Sequence, residues 1–462
     1  MTQSIFITAA NPYGFAVGSA QVVSDAIAVQ ALADIALKGG WGQLSSVTQV
    51  APQTPTDLAR GALTPNQAAQ VVALVSGAGN SLQQLRLAST RPCNKDASIL
   101  TLPTITVGVA DAASSISGAV YTAWNDARLT YSTRVAVLGA TYPNNGYSTP
   151  VYMDTGMSGG AVYMAGLMAS FSFSTEATIF ELPCKGYSLH RLWFSEDGRQ
   201  FQACAVQLMS STGSNYQVNY NFGGIRKPRR IVVEYSTSLG GPTIGPTESV
   251  YAWAPTAPLL VVFGDSFVEG AGAGNNYTLD GFAVKLGHAL GCLGRTIASG
   301  IGSTGYVATN GGAKKNAVQC VQTNVIDNLP SNWGVVVHCH GINDSSSVSV
   351  NAAAVFDAIY AAKPYVQQIL FMPFQPRSID VSARRTELLA VAATRPWLTV
   401  IDNTGYGTDP EITGTGSVNA TTGTGNSDWV ISSDNTHPVE GGHSHIAEYR
   451  DAKIRYALTL TL

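Results

Sequence analysis

Charge is what this sequence has least of. Asp, Glu, Lys and Arg together make up 12% of its 462 residues, about half the roughly 25% usual in soluble domains, and Gly, Ser, Thr, Asn and Ala take their place. With a formal net charge of −3 there is no broad positive field to draw phosphate, which argues against nucleic acid as a partner. The one dense basic run, Arg226 to Arg230, stands ahead of an apolar strand at Ile231 to Val233 and reads as a solvated turn rather than a binding patch.

Cysteine patterning is also missing. The six cysteines, Cys93, Cys184, Cys204, Cys292, Cys320 and Cys339, form no Cys-x-x-Cys pair and no Cys/His cluster at zinc-ligand spacing, so neither a metal nor a cofactor is expected. Cys184 and Cys204 can face each other on neighbouring strands, but buried free thiols are the expectation. The N-terminus has no basic stretch followed by a long apolar run, and nowhere do about 18 uncharged apolar residues stand together. No signal peptide and no membrane span are expected. What is present is a hydrophobic content of 45%, enough for well-packed cores in a chain long enough for several domains.

Periodicity divides the chain in three. Residues 1–95 are expected to be a partly helical docking or oligomerisation segment, or equally a plain helical decoration of the next domain, with helical patterns at Ala20 to Leu37 and Pro65 to Leu74. Thr64, Pro65 and Gln67 supply the cap, first turn and capping-box residue of the second. Residues 97–253 change to short Val, Ile, Tyr, Phe and Thr runs broken by Gly, Pro and Asn, the mark of an all-β domain, expected as a jelly-roll-like sandwich. A hairpin is predicted where Leu192 to Ser195 and Gln200 to Leu208 flank Asp197-Gly198. After a Pro/Thr/Gly-rich stretch at Gly240 to Pro246, read as a linker, residues 256–462 alternate strands and helices. The strands, Leu259 to Phe263, Arg295 to Ala298, Val335 to Cys339, Gln368 to Met372 and Leu398 to Asp402, are apolar on both faces. That specifies a parallel sheet covered by helices on both sides, a three-layer α/β domain.

In such sheets function collects at the carboxyl ends of the strands. The first strand there ends in Gly264-Asp265-Ser266, the second in Gly300-Ile301-Gly302-Ser303-Thr304-Gly305-Tyr306, and the third in Gly341-Ile342-Asn343-Asp344; Asp434-Asn435-Thr436-His437-Pro438 precedes the last helix. A serine hydroxyl is a weak nucleophile until an imidazole takes its proton, and an imidazole needs a carboxylate to fix its tautomer. Ser266, His437 and Asp434 are the candidates for these three roles. Each alone reads as turn or cap chemistry; their joint placement is what carries the signal.

These four blocks, in this order, resemble those of the SGNH (GDSL-like) hydrolase superfamily over residues 256–462. The resemblance implies a flavodoxin-like α/β fold and a serine esterase. It further implies an oxyanion hole made by the backbone N–H of Ser266, a second-block N–H and the side-chain amide of Asn343. The family's donor glycine falls on Ser303, with Gly302 one place earlier, so both stay open as the second donor. Asp265, His340 and Trp429 are candidates for contacting substrate; His340 can equally pack in the core, and Trp429 can stack on a sugar or simply fill space. His338 is expected in the core, and His443 and His445 at the surface or behind the site. A β-domain ahead of such a domain is similar to two-domain carbohydrate esterases, including deacetylases on phage tails. That implies O-deacetylation of a polysaccharide, an extracellular or virion-associated protein, and a homo-oligomer, trimeric in the phage case. The alternatives are a general short-chain esterase or lipase, and a glycan-binding adhesin with a vestigial hydrolase domain.

Overall fold

The structure, a computed structural model, describes residues 100–133 and 167–460 with breaks at 187–188, 199, 210–213, 237–238, 322–333, 365 and 377–378, together with segments 2–7, 20–24, 44–49, 93–94, 135–137 and 148–150. Ala20–Ser24, expected to begin a helix, is instead a strand beside Thr2–Ile7 in a three-stranded antiparallel sheet. Its Gln-Val-Val run suits a strand as well as one helical turn, and pairing decides between them. The helix expected at Pro65 to Leu74 lies outside the described residues.

The parallel sheet runs, edge to centre, Leu398–Ile401, Val366–Phe371, Gly334–Cys339, Leu259–Gly264 and Thr296–Gly300. In chain order this is 2-1-3-4-5 read from the other side, the order of flavodoxin-like sheets, with the switch point beside the first strand. Alternation along the strands explains the three layers. Val262, Val337 and Ile369 meet Phe282, Leu286, Ile446 and Ile454 on one face. Val261, Val336 and Leu370 meet Val355, Phe356, Ile359 and Leu388 on the other. The covering helices are Phe282–Ala289 and Glu440–Leu460 on the first face, and Ser349–Ala362 and Ser382–Ala393 on the second. No helix among the described residues is long and apolar enough to cross a membrane.

The β-region does not stand apart from this sheet. Leu167–Thr175 pairs antiparallel with Thr296–Gly300 through Leu167 opposite Ser299 and Met168 opposite Ala298, so the two form one continuous mixed sheet of 13 strands. A second, five-stranded sheet packs on the β-region's part of it through Phe173 against Phe180 and Phe194 against Phe222. Gly240 to Pro246 is no linker: Thr243–Ile244 is an inner strand of that second sheet, between Val120–Tyr121 and Ile179–Lys185. The basic run is not all solvated either. Arg229 is buried, lies over the Phe222 ring at 4.0 Å and donates to the carbonyls of Ala177 and Ile225. Cys184 and Cys204 are buried free thiols, and burial pushes the Cys204 thiol up to about 12.

Candidate active site

Ser266 opens a short helix, Ser266–Glu269, directly after the first strand. Asp265 caps it, its Oδ1 accepting the Phe267 N–H at 3.1 Å. This leaves Ser266 at the first helical position, where a backbone N–H has no intrahelical acceptor. The hydroxyl is met from the other end of the domain. His437 Nε2 lies 2.9 Å from Ser266 Oγ, and His437 Nδ1 lies 2.7 Å from Asp434 Oδ2. The loop that carries both residues is a tight reversal. Ser432 N–H donates to the His437 carbonyl at 2.8 Å, and Asn435 takes a φ of 64° at its tip.

Asp434 is half-exposed, so burial raises its carboxyl only in part. Hydrogen bonds from the His437 ring, the Ser432 hydroxyl and the Thr436 and His437 amides outweigh burial and hold it well below the usual carboxylate range. A carboxylate so fixed orients the imidazole, and an imidazole so oriented can accept the Ser266 proton. The ring is also held sideways, 5.5 Å from Phe267, which stacks on Phe374 at 4.0 Å.

Beside Ser266 lies the loop after the second strand. Its backbone donors can be accounted for one by one. Ile301 donates to the Gly264 carbonyl, Gly302 to Glu269 Oε2 at 2.5 Å, Thr304 to the Ile301 carbonyl and Gly305 to the Ala308 carbonyl. Tyr306, Val307 and Ala308 all donate to the Asp344 carboxylate, at 2.9, 2.9 and 2.8 Å. Ser303 is the exception: its N–H has no acceptor among the described residues, and its side chain is exposed. Of the two candidates left open for the second donor, Gly302 has its N–H engaged by a carboxylate and Ser303 does not. Ser303 takes a φ of 63°, a left-handed conformation that costs a residue with a Cβ about 1–2 kcal/mol and explains why glycine suits this position in the resembling pattern. Asn343 Nδ2 donates to the Thr304 carbonyl at 2.9 Å, which uses one of its two amide hydrogens.

Two of the candidate substrate contacts lie in the interior, and for His340 this is the core alternative left open by the sequence. Asp265 is fully buried, and burial, opposed by the Phe267 N–H and reinforced by nearby Asp344, pushes its carboxyl up to about 8. His340 is 1% exposed, edge-on to Phe263 at 4.5 Å, and burial lowers its imidazole to about 3. Both side chains are buried. Trp429 is half-exposed and packs edge-on against His445 at 5.1 Å. His338 is buried in the core, as expected, bonded to Gln368 at 3.0 Å. Of the two places open to His443, the surface or behind the site, the structure has the second: it is fully buried, accepting from the Phe282 N–H at Nδ1 and donating from Nε2 to the Ala271 carbonyl.

Among solved structures the chain is similar to a family two carbohydrate esterase from Cellvibrio japonicus, at 11% identity with a TM-score of 0.52, over 74% of this chain and 98% of that one. At this identity the likeness shows a shared fold. A salicylyl-acyltransferase, SsfX3 from a tetracycline biosynthetic pathway, is similar at 14% identity and a TM-score of 0.51, over 74% of this chain and 98% of that one. No protein-family model matches the sequence, and no curated protein matches it.

Within this fold several residues that shape the site have no clear signal in the sequence. Asp344 was visible as the last letter of its block but reads as turn chemistry; only the fold shows that it gathers three amides of another loop. Glu269 stands one helical turn after Ser266 and looks like an ordinary first-turn acid, yet it is 4% exposed and holds Gly302. Lys314, whose Nζ donates to the Gly302 carbonyl at 2.7 Å, had no signal at all. Arg450 in the last helix is fully buried, paired with Glu411 at 2.6 Å and donating to Cys339 Sγ at 2.8 Å under the strand ends.

Proposed function

We propose that the protein is a serine esterase that removes O-acetyl groups from a polysaccharide through an acyl-enzyme on Ser266. The observation that carries this reading is the hydrogen-bonded series Ser266, His437, Asp434 set beside the unengaged N–H of Ser303. Ser266 Oγ attacks the ester carbonyl carbon as its proton passes to His437 Nε2, and Asp434 stabilises the imidazolium. The carbonyl oxygen becomes an oxyanion that accepts from the backbone N–H groups of Ser266 and Ser303 and the second amide hydrogen of Asn343. Each such donor is commonly worth about 3 kcal/mol in the transition state. The intermediate collapses, the sugar oxygen leaves with the His437 proton, and Ser266 keeps the acetyl group. Water then gives a proton to His437 and attacks the acyl carbon; acetate departs and the proton returns to Ser266.

The similarity in fold to a carbohydrate esterase supports a glycan ester as substrate. So does the loop Gly405 to Asp428, which is polar and closed on itself by Asn426 to Thr413 and by Asp428 to Thr422 and Gly423, with no apolar lid for a long acyl chain. We read the two-sheet β-region as a jelly-roll-like, glycan-facing support, because its sheet is bonded to the strand that leads into Gly302 and Ser303. Acetate release from a panel of acetylated glycans, set against p-nitrophenyl esters of rising chain length, tests the proposal. Acetyl esters should turn over fastest and rates should fall with chain length. A preference for long acyl chains makes the protein a lipase instead, and glycan binding without any ester turnover makes it an adhesin.

A further inference from the structure

We infer that Lys314 is a positioning residue for the oxyanion hole, acting through the peptide that joins Gly302 to Ser303. This inference rests on the esterase reading above. The Gly302 carbonyl and the Ser303 N–H are opposite ends of one planar trans peptide. Lys314 Nζ grips the carbonyl end at 2.7 Å, leaving the N–H end without an acceptor. The peptide before it is held separately, since the Gly302 N–H is bound by Glu269 Oε2 at 2.5 Å. Two charged side chains from different elements thus fix both peptides that flank Gly302, at a point where Ser303 sits at a φ of 63° and would otherwise relax.

The electrostatic consequence has a definite sign. A cationic hydrogen bond to a carbonyl draws electron density from the amide nitrogen and makes its N–H a stronger donor, the cooperative strengthening seen along hydrogen-bond chains. No acceptor among the described residues uses that stronger donor, whereas a tetrahedral oxyanion does. Lys314 therefore acts on kcat more than on KM. Its charge also offsets the buried Glu269 carboxylate, which otherwise stands one residue from the developing negative charge.

The test compares Lys314→Met, Lys314→Arg and Ser266→Ala in the full chain with p-nitrophenyl acetate, alongside the ¹⁵N resonance of the Ser303 amide in serine-labelled protein. Lys314→Met should lower kcat about tenfold with KM within about twofold, a fraction of the 10²–10³ lost with a whole donor. Lys314→Arg should recover most of the loss, and the Ser303 amide resonance should move in the Met variant and return in the Arg variant. Unchanged kcat, a change in KM alone, equal losses in Met and Arg variants, or an unmoved Ser303 resonance overturns the assignment. Ser266→Ala separates this from the parent reading: if it keeps wild-type turnover, the esterase mechanism itself is wrong, whatever Lys314 does.

Discussion

His437 Nε2 stands 2.9 Å from Ser266 Oγ across 171 positions of sequence. The parallel sheet makes that approach possible. Ser266 leaves the carboxyl end of the strand at the switch point, and the loop before the last helix returns to the same rim. If these two side chains act as one unit, removing either removes the whole effect. Ser266→Ala should lose at least about a thousandfold in turnover of p-nitrophenyl acetate. Steady-state rates with active-site titration of the wild type check this, and near-normal turnover in the variant takes Ser266 out of the mechanism.

The approach of the two loops depends on Gly272. It has a φ of 88°, and a methyl group there would run into the Pro438 carbonyl oxygen and press on the His437 Cβ. Gly272→Ala should therefore shift the His437 loop away from Ser266 and lower kcat by about tenfold or more, since small misplacements of reacting groups are expensive. Strain of this kind also costs about 1–3 kcal/mol of stability. Parallel measurement of kcat and of the urea midpoint checks both; wild-type values for the two would mean the loops are not in contact.

Much of this architecture was legible in the sequence, and the reasons differ by element. The parallel strands announced themselves because each is apolar on both faces, and Leu259 to Phe263 became Leu259–Gly264 with one residue added. The hairpin at Asp197-Gly198 was equally plain: Gly198 takes a φ of 70°, and Trp193 pairs with Ala203. Gly240 to Pro246 misled because Pro and Gly flank the two residues, Thr243 and Ile244, that join a sheet, and so short a strand has no period to read. The joining of the two regions through Met168 and Ala298 has no local signature, since edge pairing is decided by what lies beside a strand in space. In the site, residues fixed by chemistry were legible as motif letters. Those fixed by support, Glu269 and Lys314, were not, because a charge held inside a site looks in sequence like a surface one.

Asp344 is the clearest of these supports. Its two oxygens accept the amides of Tyr306, Val307 and Ala308, so the loop that presents Ser303 is tied to the loop that presents Asn343. Asp344→Asn keeps the size but replaces one acceptor oxygen with an NH₂ group that faces donors. Hydrogen bonds to a charged acceptor contribute about 1.5–3 kcal/mol each, so a loss of about 2–4 kcal/mol is expected, with a fall in kcat as the Ser303 N–H loses its fixed direction. Denaturant unfolding and steady-state kinetics test the two effects. A stable variant with full activity would show that the carboxylate only fills space.

Asp265 gives a prediction in pH. Its carboxyl is raised from 3.8 to about 8, chiefly by burial, so the folded protein holds a proton there that the unfolded chain has released. Between about pH 4 and pH 8 the native state binds more protons at this site, and stability falls as pH rises, with a slope of at most about 1.4 kcal/mol per pH unit. Below this window both states are protonated, and above it both are ionised, so the contribution is flat at either end. The buried imidazoles tilt the other way: His338 and His443 are lowered to about 4 and His340 to about 3, again chiefly by burial, and the unfolded chain takes up their protons first as pH drops. The raw stability curve therefore mixes opposing slopes, and Asp265→Asn isolates one of them. Asparagine keeps the Oδ1 that accepts the Phe267 N–H and is as good a helix cap, but it cannot ionise. The stability of Asp265→Asn relative to wild type should climb from pH 4 to pH 8 and then level off. Urea denaturation at one-unit pH intervals measures this difference, and two curves that run parallel across the window would mean that Asp265 is already ionised beneath Ser266.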